Sequence, residues 1–129
     1  IPFKDLLARA DIVSLHCPLT KETSGLIGTE ELALMKKSAI LVNTARGALV
    51  DEKALKEALQ AMIIAGAATD VLSVEPPVDG NVLLDERIPN LIVTPHVAWI
   101  ARESRQRLID QVAGNVKAFL DGKPQNQVI

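Results

Sequence analysis

At 129 residues the chain is long enough for one domain with a real core, and a hydrophobic content of 48% fits that expectation. Charged residues make up 23% and the formal net charge is -2, so neither a nucleic-acid-binding face nor an acidic tail is indicated. The single cysteine, Cys17, excludes an internal disulfide, and no Cys/His cluster has metal-ligand spacing, so no metal is expected.

No apolar run approaches the roughly 20 residues needed to cross a bilayer. The first residues also lack the basic-then-apolar layout of a signal peptide. A soluble, cytoplasmic chain without membrane or nucleic-acid partners is expected. It opens on Ile1-Pro2-Phe3 with no initiating methionine, in what reads as mid-helix material, and is expected to be a piece of something longer.

Phe3, Leu6, Leu7 and Ala10 are spaced for one face of a short helix over Ile1–Ala10. Asp11–His16 then reads as a strand, stopped by Cys17-Pro18. After a polar stretch, Thr29 can cap a helix with Glu30 and Glu31 in its first turn, running through Leu34, Met35 and Lys37. Ala39–Val42 is an apolar strand leading into a polar turn that holds Arg46 and Gly47. Asp51 opens the next helix, with Leu55, Ala58, Leu59 and Met62 on one side.

Ala65–Leu72 is a strand of small residues, which lets another backbone or a ligand come close. Glu75-Pro76-Pro77 breaks the pattern, and Val78–Asn90 reads as a loop punctuated by Gly80 and Pro89. Leu91–Thr94 is the last strand, followed by Pro95-His96. A long helix over Ala101–Leu120 can turn Leu108, Ile109, Val112, Val116, Phe119 and Leu120 inward before Gly122 and Pro124 stop it. Gln125–Ile129 can add a short extended segment. Four strands alternating with helices, without the period-2 pattern of a half-wetted sheet, predict an α/β domain whose parallel sheet is covered on both faces.

In such a sheet the carboxyl ends of the strands line one edge, the usual place for a ligand. That edge collects His16-Cys17, Asn43 to Gly47, Asp70 to Glu75, and Pro95-His96. A guanidinium can hold a carboxylate in two hydrogen bonds, and an imidazole oriented by a carboxylate can give or take a proton. Together they suit a reaction on a hydroxy or oxo acid.

Asn43-Thr-Ala-Arg-Gly47, Ala68-Thr-Asp-Val71 followed by Glu75-Pro76, and Thr94-Pro-His96 resemble, in order and spacing, the second half of the nucleotide-binding domain of NAD-dependent D-2-hydroxyacid dehydrogenases. Ser14-Leu-His-Cys-Pro-Leu-Thr20 is similar to the family's segment after its fourth strand, so the resemblance covers essentially the whole chain. Thr94-Pro-His-Val-Ala-Trp99, with Glu103-Ser-Arg-Gln-Arg107 behind it, is most like the glycerate dehydrogenase (hydroxypyruvate reductase) branch.

The resemblance implies that residues 1–129 are the C-terminal portion of a Rossmann-like, doubly wound NAD-binding domain whose first strands are missing. The implied activity is hydride transfer between NAD(H) and a small D-2-hydroxy or 2-oxo acid such as glycerate, hydroxypyruvate or glyoxylate. Arg46 would hold the substrate carboxylate and polarise its carbonyl. His96 would be the acid/base, and Glu75 would pair with it and raise its pKa. Asp70 would bind the nicotinamide carboxamide, with backbone cofactor contacts around His16, Cys17, Pro18, Thr44 and Ala45. Trp99 would shape the substrate pocket, from across the interface of the homodimer implied for the full-length protein.

Plainer readings stand beside these. His96 and His16 could be hydrogen-bonded structural groups, Glu75 a solvated loop carboxylate, and Asp70 the cap of its own turn. Cys17 could be a small buried residue, and Trp99 plain core. The Gly-x-Gly-x-x-Gly turn and the acidic residue that reads the ribose are not in the sequence, so NAD and NADP are not separated. Gly25-Leu-Ile-Gly28 and Gly66-Ala-Ala-Thr69 do not replace that turn. The isolated chain is therefore expected to be inactive or weak, with the Asp11–Leu15 strand edge open to pairing. The alternative is a non-catalytic NAD-binding or dimerisation module, related to co-repressors of the same fold. No Gly-x-Ser-x-Gly elbow supports a serine hydrolase.

Overall fold

The structure, a computed structural model, describes residues 1–88 and 90–128. The chain divides after His96 into two units, Ile1–His96 and Val97–Ile129.

The first unit holds helix α1 (Phe3–Arg9), strand β1 (Ile12–Leu15), helix α2 (Thr29–Leu34), strand β2 (Ile40–Asn43), helix α3 (Glu52–Gln60), strand β3 (Gly66–Thr69) and strand β4 (Leu91–Val93). One-turn 3₁₀ helices occupy Gly47–Leu49 and Val82–Leu84. All four strands are parallel, in the order β1-β2-β3-β4. The α/β class and the parallel sheet are therefore as the sequence predicts, with each strand within a residue or so of its predicted start.

The cover of the sheet differs from the expectation. Val13, Leu15, Leu41, Asn43, Ala67 and Thr69 are buried, whereas Ile12, Ile40 and Ile92, on the opposite face, are exposed. Strands laid down in sequence order step always toward the same edge. Right-handed crossovers then put every connecting helix on one side. The helices of the first unit cover one face only, and the apolar runs that suggested two covered faces belong to a sheet whose second face is left exposed by the described residues of that unit.

On the covered face Leu7, Ile27, Leu32, Leu41, Leu49, Leu55, Leu59 and Ile64 are fully buried. Each such side chain contributes about 1.5–3 kcal/mol relative to exposure. A parallel bridge between Ile27 and Val50 ties the segment before α2 to the turn after β2. Gly66 leaves little room for a side chain, because a Cβ there would stand 3.0 Å from the Asn90 carbonyl oxygen. The small residues of β3 thus admit neighbouring backbone.

Asp51 caps α3 as predicted, its Oδ1 accepting from the N–H groups of Lys53 and Ala54 at 3.0 Å each. Met62, expected on the same helix face, lies beyond the helix at φ 55° and is exposed. The cap of α2 is Gly28 rather than Thr29, and Glu31 reaches back to the Gly28 N–H at 3.1 Å. That helix ends at Leu34, before Lys36 and Lys37. Lys36 instead pairs with Asp11 at 2.9 Å.

The second unit is helix α4 (Arg102–Leu120) with its flanks. Gly122, at φ 70°, ends it as predicted, with its N–H on the Phe119 carbonyl. The expected inward face is overturned: Leu108, Ile109, Val112, Val116, Phe119 and Leu120 are 51–77% exposed, since a lone helix cannot bury its own apolar stripe. Gln125–Val128 form no strand, and the predicted loop Val78–Asn90 contains the 3₁₀ turn; Pro89 and Ile129 lie outside the described residues. Among the described residues no helix is long and apolar enough to cross a membrane.

Asp51→Ala removes the acceptor of two helix N–H groups and is expected to destabilise the chain by about 1 kcal/mol. Urea denaturation checks this; an unchanged midpoint would show that solvent replaces the cap without loss.

Candidate active site

The ends of β2, β3 and β4 stand level. Asn43 is in register with Thr69, and Thr69 with Val93. Strands spaced by about 4.8 Å put the two outer chain ends about 10 Å apart along that edge. The ladder then continues past the strands. The Asp70 N–H donates to the Asn43 carbonyl at 2.9 Å, Thr94 N–H to Thr69 at 2.9 Å, and His96 N–H to Asp70 at 2.8 Å. Residues after the strands are thereby held in rank with them.

Asn43 fixes the turn that carries Arg46. It is 3% exposed, and its amide is satisfied locally: Nδ2 donates to the Arg46 carbonyl at 2.9 Å, and Oδ1 accepts from the Ala45 N–H at 3.1 Å. The Arg46 guanidinium donates to the Ala45 carbonyl at 2.7 Å and, among the described residues, pairs with no carboxylate. A cation with five donors is thus exposed at the edge with capacity to spare.

Gly47 joins this turn to the next one. A Cβ on it would lie 2.0 Å from the Leu72 carbonyl carbon and 2.3 Å from the Ser73 nitrogen. Only glycine allows the Leu72–Ser73 peptide to lie there. The same peptide leads into Glu75, whose Oε1 accepts from the Leu72 N–H at 2.8 Å while Oε2 meets His96 Nδ1 at 2.7 Å.

His96 sits at φ 55°, a left-handed conformation that non-glycine residues seldom adopt. Its N–H, shared between the carbonyls of Asp70 and Thr94, holds it there. The Leu72 N–H, and after it the contact with His96, holds the Glu75 carboxyl below the usual carboxylate range. Glu75 is then ionised near neutrality and can only accept, so Nδ1 carries the hydrogen in this contact. Nε2 is left for other work. Asp70, 4% exposed at the end of β3, accepts from the Thr94 hydroxyl at 2.5 Å.

An open cavity of about 510 Å³ lies beside this pair. Leu72, Pro76, Pro77, Leu84 and Val93 make it largely apolar, while Glu75, Thr94 and His96 are its polar groups. Apolar walls with few polar groups are what small-ligand sites offer.

The structure therefore brings Glu75, His96 and Asp70 into one bonded group and puts Arg46 on the same edge, outside the cavity wall. Thr44 and Ala45 lie in the Arg46 turn, and Cys17 and Pro18 follow β1. Cys17 is half-buried against the core. His16 faces Ser14, with 2.8 Å between Nε2 and Oγ. Trp99 belongs to the second unit and is 53% exposed, so it is not plain core. Sequence reasoning assigned nothing to Asn43 or Thr94. An asparagine opening a turn signals the first through its local amide bonds; nothing local signals the second.

The sequence model described as "D-isomer specific 2-hydroxyacid dehydrogenase, NAD binding domain" matches residues 1–98. A glycerate dehydrogenase of Methylorubrum extorquens is 55% identical over 128 residues, which is 99% of this chain and 41% of that protein. A hydroxypyruvate reductase of Blautia hydrogenotrophica is 41% identical over 128 residues, 99% of this chain and 39% of that protein. Among solved structures, a D-isomer specific 2-hydroxyacid dehydrogenase from Lactobacillus delbrueckii ssp. bulgaricus in an NAD-complexed form superposes with a TM-score of 0.86 and 36% identity, over 100% of this chain and 42% of that one. The chain thus spans about two fifths of the length of each.

Two outcomes follow from the geometry. Gly47→Ala is expected to cost about 1–3 kcal/mol through overpacking, because the atoms met are backbone; a stability equal to wild type in chemical denaturation would contradict the close approach. Glu75's stabilising contribution is present above its unfolded-state pKa and lost as pH falls through its lowered folded value. Its carboxyl carbon followed by NMR is therefore expected to titrate with a midpoint below 4.5, and a midpoint at or above 4.5 would mean that the contacts do not hold in solution.

Proposed function

The chain belongs to the D-isomer specific 2-hydroxyacid dehydrogenase family, and on that premise we propose that residues 1–129 are the C-terminal portion of its NAD-binding domain, furnishing the acid/base and carboxylate-anchoring groups of an oxidoreductase for small 2-hydroxy and 2-oxo acids. The observation that carries this reading is the 2.7 Å contact between Glu75 and His96 Nδ1, on the edge that also presents Arg46.

The residues fit the nicotinamide end of a dinucleotide. Asp70 is a nearly buried carboxylate at the strand ends, next in the chain to β3 and bonded by the Thr94 hydroxyl. Asp70 would hold the carboxamide, and the backbone of Cys17, Pro18, Thr44 and Ala45 would line the adjoining cofactor path. When bound, reduced NAD supplies the hydride that reaches the carbonyl carbon of the 2-oxo acid.

Arg46 takes the substrate carboxylate in two parallel N–H···O bonds and draws electron density from the neighbouring carbonyl. His96, protonated at both nitrogens, donates the Nε2 proton to the carbonyl oxygen as that oxygen becomes a hydroxyl. Glu75 accepts from Nδ1–H throughout. It stabilises the imidazolium before transfer and fixes the tautomer after it. In the oxidative direction Nε2 takes the hydroxyl proton back. The names of the similar proteins favour an acid of the size of glycerate or hydroxypyruvate. The same reading gives a homodimer in which the half-exposed Trp99 closes the substrate pocket of a second copy, and the single thiol fits a reducing, cytoplasmic compartment.

The test is a chimera in which this chain replaces the matching 41% of the M. extorquens relative. NADH-dependent reduction of hydroxypyruvate is expected, falling about 10²- to 10⁴-fold for His96→Ala, with Arg46→Ala mainly raising KM. A folded chimera whose His96→Ala and Arg46→Ala variants turn over like the parent would remove both roles, and a folded chimera without turnover would favour a binding or dimerisation module.

A further inference from the structure

Glu52, the first residue of α3, plays no part in the scheme above, yet its carboxyl accepts three hydrogen bonds from outside its helix. Oε1 accepts from the Ser73 N–H at 2.7 Å; Oε2 accepts from the Ser73 hydroxyl at 2.6 Å and from Asn81 Nδ2 at 2.8 Å. An acidic residue in a first turn needs no explanation beyond the helix dipole. That account predicts a carboxyl turned back to its own N–H groups or to water. Here it is the neighbouring Asp51 that serves the α3 N–H groups, and Glu52 is directed across to two other segments.

Ser73 is the point where this matters. Its peptide with Leu72 is the one lodged against Gly47, and the Leu72 N–H on the other side of that residue holds Glu75 Oε1. Glu52 grips the peptide from one end and Gly47 confines it from the side. The direction of the Leu72 N–H, and with it the placement of the Glu75 carboxyl, follows from the two together. Glu75 then sets the hydrogen on His96 Nδ1.

We propose that Glu52 is a positioning residue: through Ser73 and Leu72 it holds the Glu75 carboxylate against His96 Nδ1 and thereby fixes the tautomer of the imidazole. The placement rests on the geometry alone; its bearing on turnover rests on the catalytic reading of His96 given above.

The test follows His96 in the 129-residue chain by imidazole nitrogen NMR at about pH 9, where imidazoles are neutral. Wild type is expected to favour the Nδ1–H form. Glu52→Ala is expected to lower the Nδ1–H to Nε2–H ratio about fivefold, as loss of a single net hydrogen bond would. The isosteric Glu52→Gln, which keeps the volume but cannot accept at both termini, should shift the ratio in the same direction. Asp51→Ala loosens the same helix start without touching Ser73 and should leave the ratio unchanged. A ratio that stays at the wild-type value in folded Glu52→Gln, or that moves equally in Asp51→Ala, overturns the proposal. In the chimera, Glu52→Gln should lower kcat with KM little changed. A shifted tautomer with unchanged kcat would instead overturn the catalytic reading and leave the positioning intact.

Discussion

The parallel ladder outlasts its strands, and the rest of the site depends on that. Hydrogen bonds from Asp70 to Asn43, from Thr94 to Thr69 and from His96 to Asp70 carry strand-like pairing into segments that would otherwise be free loops. Groups that loops position are ordinarily mobile. These are held in rank by backbone alone, before any side chain is considered. His96 keeps its N–H on the ladder in a left-handed conformation, at φ 55°.

Side chains then refine what the backbone has aligned. Asn43 commits its amide nitrogen and oxygen to the turn that presents Arg46, and among the described residues the guanidinium pairs with no carboxylate. Glu75 divides its two oxygens between a backbone N–H and the imidazole. The contrast between the two charges is chemically useful: the cation is open to an incoming carboxylate, while the anion is already committed to orienting a proton carrier. Gly47 couples the two halves, since the Arg46 turn and the Glu75 loop touch through atoms no side chain could separate.

Much of this was legible in the sequence wherever the information is local. Apolar runs ended by Pro18 and Pro95 marked strands, Asp51 before an amphipathic run marked a cap, and Gly122 marked a helix end. Arg46, Glu75 and His96 drew attention because parallel strands put their following residues on one edge. What was not legible depended on contacts between distant segments or on what covers a surface. Thr29 and Gly28 are both credible caps, and the choice was settled by Glu31 reaching back. That the helices of the first unit cover only one face of the sheet follows from strand order, which no single run encodes. The apolar stripe of α4 has helical periodicity whether or not anything lies over it. Glu52 gave no signal, because its partners Ser73 and Asn81 are more than twenty residues away.

The most direct measurement of whether the ladder carries the site is amide hydrogen exchange of the chain, residue by residue. If the account holds, the N–H groups of Asp70, Thr94 and His96 exchange as slowly as those of Ala68 and Thr69 inside the sheet. Exchange at those three positions as fast as in an unstructured loop, with the strands still protected, would contradict it.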